Sequence, residues 1–300
     1  MNERKTVIAL GFFDGLHRGH AALLERAKQR AAQLDADSAI LTFDMHPDTF
    51  VKGASVELLN SAADRGYIAR RFYGMERIFC IHFAADTVRL PWQDFMENVR
   101  QTYAAAGFVV GHDFNCGWRG EGTAEKIAAW CAARGLSCDV IPPVTLHGDI
   151  VSSSLIREML REGDMPRAAE YLGHAHLLTD TVRTGFRIGR TMDYPTVNMR
   201  FEEGVLVPPH GVYVSHVLLP DGSARGAVTN IGVRPTFDGA RVTVETHILD
   251  YSADLYGAHL CVELLAVRRP ERRFDGPDAL RAQIRQDAAD ARAYLGREEV

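Results

Sequence analysis

Short apolar runs separated by stretches of helical periodicity dominate the first half of the chain. Val7 to Leu10, Ala39 to Phe43, Arg77 to Phe83, Phe108 to Val110 and Ser137 to Ile141 read as strands. Between the first two, Leu23, Leu24, Ala27, Ala31 and Leu34 recur at helical spacing, and 92–105 and 123–134 repeat that pattern. Strands alternating with helices predict a parallel sheet wound with helices. After Asp164 the helical signal ends near Leu172 and Gly173, and the chain then alternates in strand fashion, punctuated by Gly and Pro, up to about Arg273. This predicts a second, all-β unit, a small antiparallel barrel. Asp275, Gly276 and Pro277 open a last helix, with the proline at or near its first position, and Leu280, Ile284, Ala288, Ala291 and Leu295 form an apolar stripe that packs it on the barrel. The expected division is 1–173 and 178–300.

A length of 300 residues suits two domains, and 46 % hydrophobic with 24 % charged residues is a globular composition, against disorder or a coiled coil. The net charge of −5 and the lack of a basic stripe with interleaved aromatics argue against nucleic acid or an anionic membrane as partner, so phosphate recognition has to be local. Cys80, Cys116, Cys131, Cys138 and Cys261 are odd in number and never form C-x-x-C, which favours reduced structural thiols in a cytoplasmic protein over a disulfide framework or zinc site. Lys5 followed by Val7 to Phe13 imitates the start of a secretory signal, but Asp14 interrupts it. No apolar run approaches the roughly 20 residues that span a bilayer.

Directly after the first strand stands Gly11-Phe12-Phe13-Asp14-Gly15-Leu16-His17-Arg18-Gly19-His20. A helix start behind a parallel strand gathers unpaired N–H groups and the positive end of the helix dipole, which suits an anion. Glycines admit close approach of a phosphate, and two imidazoles can donate hydrogen bonds as charge builds during displacement at phosphorus. A Gly-rich turn that only joins strand to helix is the plain alternative; two histidines flanking a glycine at this position weigh against it. Ser152, Ser153 and Ser154 before Arg157 read either as a helix cap or as a hydroxyl cluster beside a guanidinium that pairs phosphate oxygens. Gly185 to Arg190 sets two glycines and an arginine in a loop. Thr196 and Asn198 then share one face of an extended segment, where a hydroxyl and an amide carbonyl can reach Mg2+ held with a nucleotide. Such residues are also ordinary turn formers.

His-x-Gly-His in a first strand-helix turn resembles the nucleotidylyltransferase superfamily. The longer Gly-x-Phe-Asp-Gly-x-His-x-Gly-His is similar to the N-terminal half of the bacterial bifunctional riboflavin kinase/FAD synthetase family. Thr42-Phe43-Asp44-Met45-His46-Pro47 resembles its T-F-x-P-H-P, Gly111-His112-Asp113-Phe114 its G-x-D-F, and Val151 to Arg157 its I-S-S-T-R-I-R. In the second half, Gly185 to Arg190 followed by Asp193-Tyr194-Pro195-Thr196-Val197-Asn198 resembles the riboflavin kinase signature G-x-x-x-G-R with G-F-P-T-A-N. Asn230 to Phe237 is similar to N-I-G-x-R-P-T-F, and Glu245 to Asp250 to E-x-H-L-L-D.

The resemblance implies a Rossmann-like adenylyltransferase domain followed by a riboflavin kinase barrel. The barrel would phosphorylate riboflavin from ATP, and the first domain would adenylylate FMN to FAD with release of pyrophosphate. It implies His17 and His20 as catalytic groups of the adenylyl transfer and Glu245 as the base of the riboflavin phosphorylation. Gly11, Phe13, Asp14, Gly15, Gly19, His46, Asp113, Ser153, Ser154 and Arg157 would bind substrate in the first half. Gly185, Gly189, Arg190, Asn230 and Arg234 would do so in the second, with Thr196 and Asn198 as the Mg2+ ligands. Small molecules, namely ATP and flavins, are the implied partners; oligomeric state, flavin redox state and the metal preferred by each half are not readable from sequence.

The chain departs from the family pattern at Met45 for proline, Leu155 for arginine, Asn115 and Trp118 in a usually basic stretch that keeps only a shifted Arg119, and Asp193 for glycine. Losing two charge-assisted phosphate contacts costs about 10²- to 10⁴-fold in rate or affinity unless Arg119 or Arg18 substitutes. A kinase with an inactive first half and a flavin-binding regulator are therefore the alternative readings.

Overall fold

A computed structural model describes residues 4–46, 49, 53, 56–82, 89–183, 194–236 and 239–298, with backbone alone at 234–236, 239–241 and 297–298. Gly185, Gly189, Arg190 and Asp193 lie outside the described residues, as do Pro47, Phe83 and the side chain of Arg234. Two compact units are present: Met1–Leu58 with Arg65–Ser153, and Leu59–Asp64 with Ser154–Val300.

The first unit is a five-stranded parallel sheet. Strands β1 (Thr6–Leu10), β2 (Asp37–Phe43), β3 (Arg77–Ile81), β4 (Ala105–Gly111) and β5 (Ser137–Ile141) lie in the order β3-β2-β1-β4-β5. Helix α1 (Arg18–Gln33) connects β1 to β2, and α2 (Ala62–Tyr73), α3 (Trp92–Thr102) and α4 (Ala124–Ala132) follow. β1 is buried at every position, because helices cover both faces of a central parallel strand, and this produces a continuous apolar run instead of alternation. Ile8, Leu10, Leu41, Phe43, Phe95, Phe108, Val110, Ile127 and Trp130 form the core on one face. Each such fully buried aliphatic or Phe side chain contributes about 1.5–3 kcal/mol. The second predicted helix segment, 92–105, ends early, at Thr102: Ala104 takes φ 50° and the chain enters β4 at Ala105, which pairs with Thr6. Apolar periodicity does not mark α2. Its signal is the capping box, in which Ser61 Oγ accepts from Asp64 N–H while Asp64 Oδ2 accepts from Ser61 N–H.

Helix α5 (Ser153–Glu162) has its first residue, Ser153, in the first unit and the rest in the second, which continues as α6 (Met165–Leu172), β6 (His176–Thr181), β7 (Val197–Met199), β8 (Gly211–Leu218), β9 (Ala224–Thr236), β10 (Gly239–Ile248) and β11 (His259–Pro270). These six strands form an antiparallel sheet in the order β6-β11-β8-β9-β10-β7. It curls back on itself, and Arg183, just past β6, bridges Asn198 on β7. Inside, the buried hydroxyls of Ser215, Thr229 and Thr246 form a chain at 2.7 and 2.9 Å. The closing helix α7 (Pro277–Glu298) seats Ala288 and Ala291 against Val214 and Leu249.

Candidate active sites

In the first unit β1 passes through a tight turn into α1. Phe13, Gly15 and Leu16 take φ of 60°, 79° and 43°, and such strain costs about 1–3 kcal/mol at each non-glycine position. The turn persists because side chains tie its carbonyls. Phe12 C=O accepts from Thr42 Oγ1 at 2.8 Å and Arg65 Nη1 at 2.6 Å, Asp14 C=O from Ser153 Oγ at 2.9 Å, and Leu16 C=O from Tyr73 Oη at 2.8 Å. His17 caps α1, its Nδ1 accepting from His20 N–H at 3.4 Å, which leaves Nε2 as the protonated nitrogen of the neutral ring. The His17 and His20 rings stack at 3.7 Å, and Phe13 meets His20 edge-on at 5.2 Å. Gly19 leaves room for this stack, since a Cβ there would sit 3.0 Å from the His17 imidazole and crowd it. Burial pushes His20 well below the usual histidine range, and neighbouring His17 and Arg65 push it further. His20 is therefore neutral at pH 7, and its buried Nδ1 has no hydrogen-bond partner.

The sheet order places the topological switch between β1 and β4, whose C-terminal ends border the crevice where α/β sheets bind ligands. The β1 turn and the segment after β4 both leave from that edge. His46, beyond β2, lies edge-on to Phe12 at 4.7 Å. Gly111 ends β4, and Asp113 behind it is exposed. Asn115 and Cys116 pair with Gly122 and Thr123 to form a small hairpin, whose tip carries an exposed Trp118 with the Arg119 guanidinium 5.4 Å from its ring. Ser154 and Arg157 belong to the second unit, where Arg157 Nη1 donates to Ser154 Oγ at 3.4 Å. The β1 turn thus gathers Gly11, Phe13, Asp14, Gly15, His17, Gly19 and His20 around one strand end, with Ser153 bonded to it. Sequence reasoning missed Arg65 and Tyr73, and quoted Thr42 only as part of a motif. All three act on the turn across long sequence separations, and only the capping box before Arg65 hints at the helix that carries it.

In the second unit the strand register builds the site. Asn198 pairs with Glu245, Glu245 with Asn230, Asn230 with Val212, and Val212 with Arg269, so one row crosses β7, β10, β9, β8 and β11 on a single face. Glu245, Asn230, Val212 and Arg269 line a cavity of about 330 Å³ together with Thr196, Phe274, Leu280 and Ile284. The front of the α7 apolar stripe therefore borders this cavity, while only its later part packs on the barrel. A second cavity of about 380 Å³ is lined by Thr196, Asn198, Thr246 and Tyr256. Thr196 borders both. Arg269 Nε and Nη2 donate to the buried Asp287 carboxylate at 2.9 and 2.7 Å, tying β11 to α7 beside the first cavity. Thr196 and Asn198 present oxygen donors of the kind Mg2+ takes when it keeps waters and phosphate oxygens as its other ligands.

A glycine-rich strand–helix turn carrying two histidines on a parallel sheet, and an antiparallel barrel with a carboxylate in one of two cavities that share Thr196, point to a two-domain nucleotide-dependent transferase. Residues 1–155 match the FAD synthetase family and residues 172–295 the riboflavin kinase family. Bifunctional riboflavin kinase/FMN adenylyltransferases from Listeria monocytogenes and Escherichia coli K12 are 32 % and 31 % identical, over 98 % and 97 % of this chain and 93 % of each relative. The chain belongs to the bifunctional riboflavin kinase/FMN adenylyltransferase family. A crystal structure described as a macrolide-efflux protein from Streptococcus pneumoniae shares the fold, with a TM-score of 0.80 and 28 % identity over 97 % of this chain and 95 % of that one. Among the described residues no helix is long and apolar enough to cross a membrane.

Proposed function

We propose that this chain makes FMN and then FAD: the barrel transfers the γ-phosphoryl group of ATP to riboflavin, and the α/β unit joins FMN to the adenylyl group of ATP. The observation that carries this reading is Thr196, which borders both the cavity holding Glu245 and the cavity holding Asn198. In the kinase step the ribityl hydroxyl oxygen bonds to the γ-phosphorus, ADP departs, and Glu245 accepts the hydroxyl proton. Thr196 and Asn198 would hold Mg2+, which when bound neutralises charge on the nucleotide phosphates. Asn230, Arg234, Gly185, Gly189 and Arg190 are assigned to substrate binding in this half.

In the second step an FMN phosphate oxygen bonds to the α-phosphorus of ATP and pyrophosphate leaves. His17 and His20 face the developing charge as hydrogen-bond donors, each neutral ring through its one N–H. Gly11, Phe13, Asp14, Gly15, Gly19, His46, Asp113, Ser153, Ser154 and Arg157 are assigned to substrate binding, within functional domains of 1–173 and 178–300 in a cytoplasmic enzyme. The test is chromatography of purified protein with ATP and Mg2+, started once from riboflavin and once from FMN. FAD from both starts supports the reading; FMN without FAD reduces the protein to a kinase, and flavin binding without either product makes it a regulator.

A further inference from the structure

We propose that Arg65, seconded by Tyr73, Thr42 and Ser153, preorganises the anion-binding turn by pinning its alternate carbonyls at Phe12, Asp14 and Leu16. The proposal deepens the adenylyl-transfer reading and rests on it. Three residues in the turn hold positive φ, two of them not glycine, and such a backbone lasts only where its surroundings over-determine it. The over-determination is visible. Every second carbonyl from Phe12 to Leu16 accepts a hydrogen bond from a side chain rooted in β2, α2 or α5. A carbonyl turned inward to a donor turns its negative end away from an incoming phosphate, and successive N–H groups held in such a turn make an anion nest.

Arg65 is the keystone. It is 3 % exposed, and one guanidinium reaches Phe12 C=O, Thr42 Oγ1 at 3.0 Å and Phe43 C=O at 2.9 Å while lying 4.2 Å over the Phe12 ring. It thus joins the ends of β1 and β2, and only a planar fork with several donors can make all of these contacts at once. Its charge also acts on the chemistry. The charged and titratable groups acting on His20 are His17, from the turn ahead of α1, and Arg65, from α2, and both favour the neutral imidazole.

The experiment uses full-length protein carrying Arg65→Lys, Arg65→Met or Tyr73→Phe, with thermal melting to establish folding. Nest donors hold phosphate in ground and transition states alike, so their misalignment raises KM and leaves kcat. Arg65→Lys and Tyr73→Phe are expected to raise the KM for ATP in FAD formation about fivefold, with kcat within about twofold, the scale of one hydrogen bond. Histidine-labelled NMR should show the His20 titration moving to higher pH in Arg65→Met and staying in place in Arg65→Lys, a split that loss of packing alone does not produce. Folded Arg65→Lys and Tyr73→Phe with unchanged KM, or an Arg65→Met His20 titration like that of the wild type, overturns the proposal. Should Arg65→Met not fold, the two milder variants decide it through KM. Should wild-type protein form no FAD, the function reading falls, and the histidine titration alone decides the place of Arg65.

Discussion

His176, on β6, shows what one buried side chain does to stability. It is 1 % exposed, neither ring nitrogen has a hydrogen-bond partner, and burial, with a smaller contribution from His174, lowers its pKa from 6.5 to about 3. Above pH 6.5 the imidazole is neutral in both folded and unfolded chains. Below it the unfolded chain takes up a proton that the native state refuses, so stability is lost as pH falls from about 6.5 toward 3, at about 1.4 kcal/mol per pH unit. Urea titrations at pH 7.5 and pH 5 are expected to differ by about 2 kcal/mol from this residue, a difference that His176→Leu abolishes. Wild-type pH dependence in the variant would sink the argument. At the same scale, His17 and His20 were legible because a local motif carries them. Arg65 was not, since its role depends on Phe12 and Phe43, neither of which is near it in sequence.

Among the elements, α7 does two jobs that its apolar stripe could not separate. Ala288 and Ala291 pack on the barrel, while Leu280 and Ile284 border the cavity that contains Glu245. The Arg269 to Asp287 pair holds the helix there, with Asp287 4 % exposed. Removing one partner of a buried ion pair leaves the other charge uncompensated, so Asp287→Ala is expected to cost about 3–5 kcal/mol in a urea titration. On the proposed kinase reading, its riboflavin KM should also rise because the wall of the Glu245 cavity loosens; an unchanged KM would show that α7 does not shape the site of that reaction. Inside the barrel, Thr229→Val strands the hydroxyls of Ser215 and Thr246 and should cost about 1–3 kcal/mol, read as a lower melting temperature. The strand pattern was readable from alternation. The register that sets Asn198, Glu245, Asn230, Val212 and Arg269 in one row was not, because pairing partners are chosen by the whole sheet.

At the scale of the molecule, two sites in separate compact units predict separable chemistry. Glu245→Gln should abolish FMN formation by about 10²-fold or more yet still convert supplied FMN to FAD. His20→Asn, losing a donor at the developing charge, should slow FAD formation by about 10²- to 10³-fold and leave riboflavin phosphorylation intact. Mixing the two variants with riboflavin and ATP should restore FAD through released FMN. If the mixture makes none, FMN does not leave the barrel to be used elsewhere.

The α/β-then-barrel order, the turn with its two histidines and the segment with Thr196 and Asn198 were determined by sequence alone, because periodicity and short motifs are local properties of the chain. Tertiary structure alone decided which distant side chains pin the turn, which residues form one row across five strands, and that Thr196 borders two cavities. The physical reason is range. Propensity and hydrogen-bond capacity belong to a residue and its neighbours, whereas burial, register and the environment that keeps His20 neutral come into being only when segments far apart in sequence pack together.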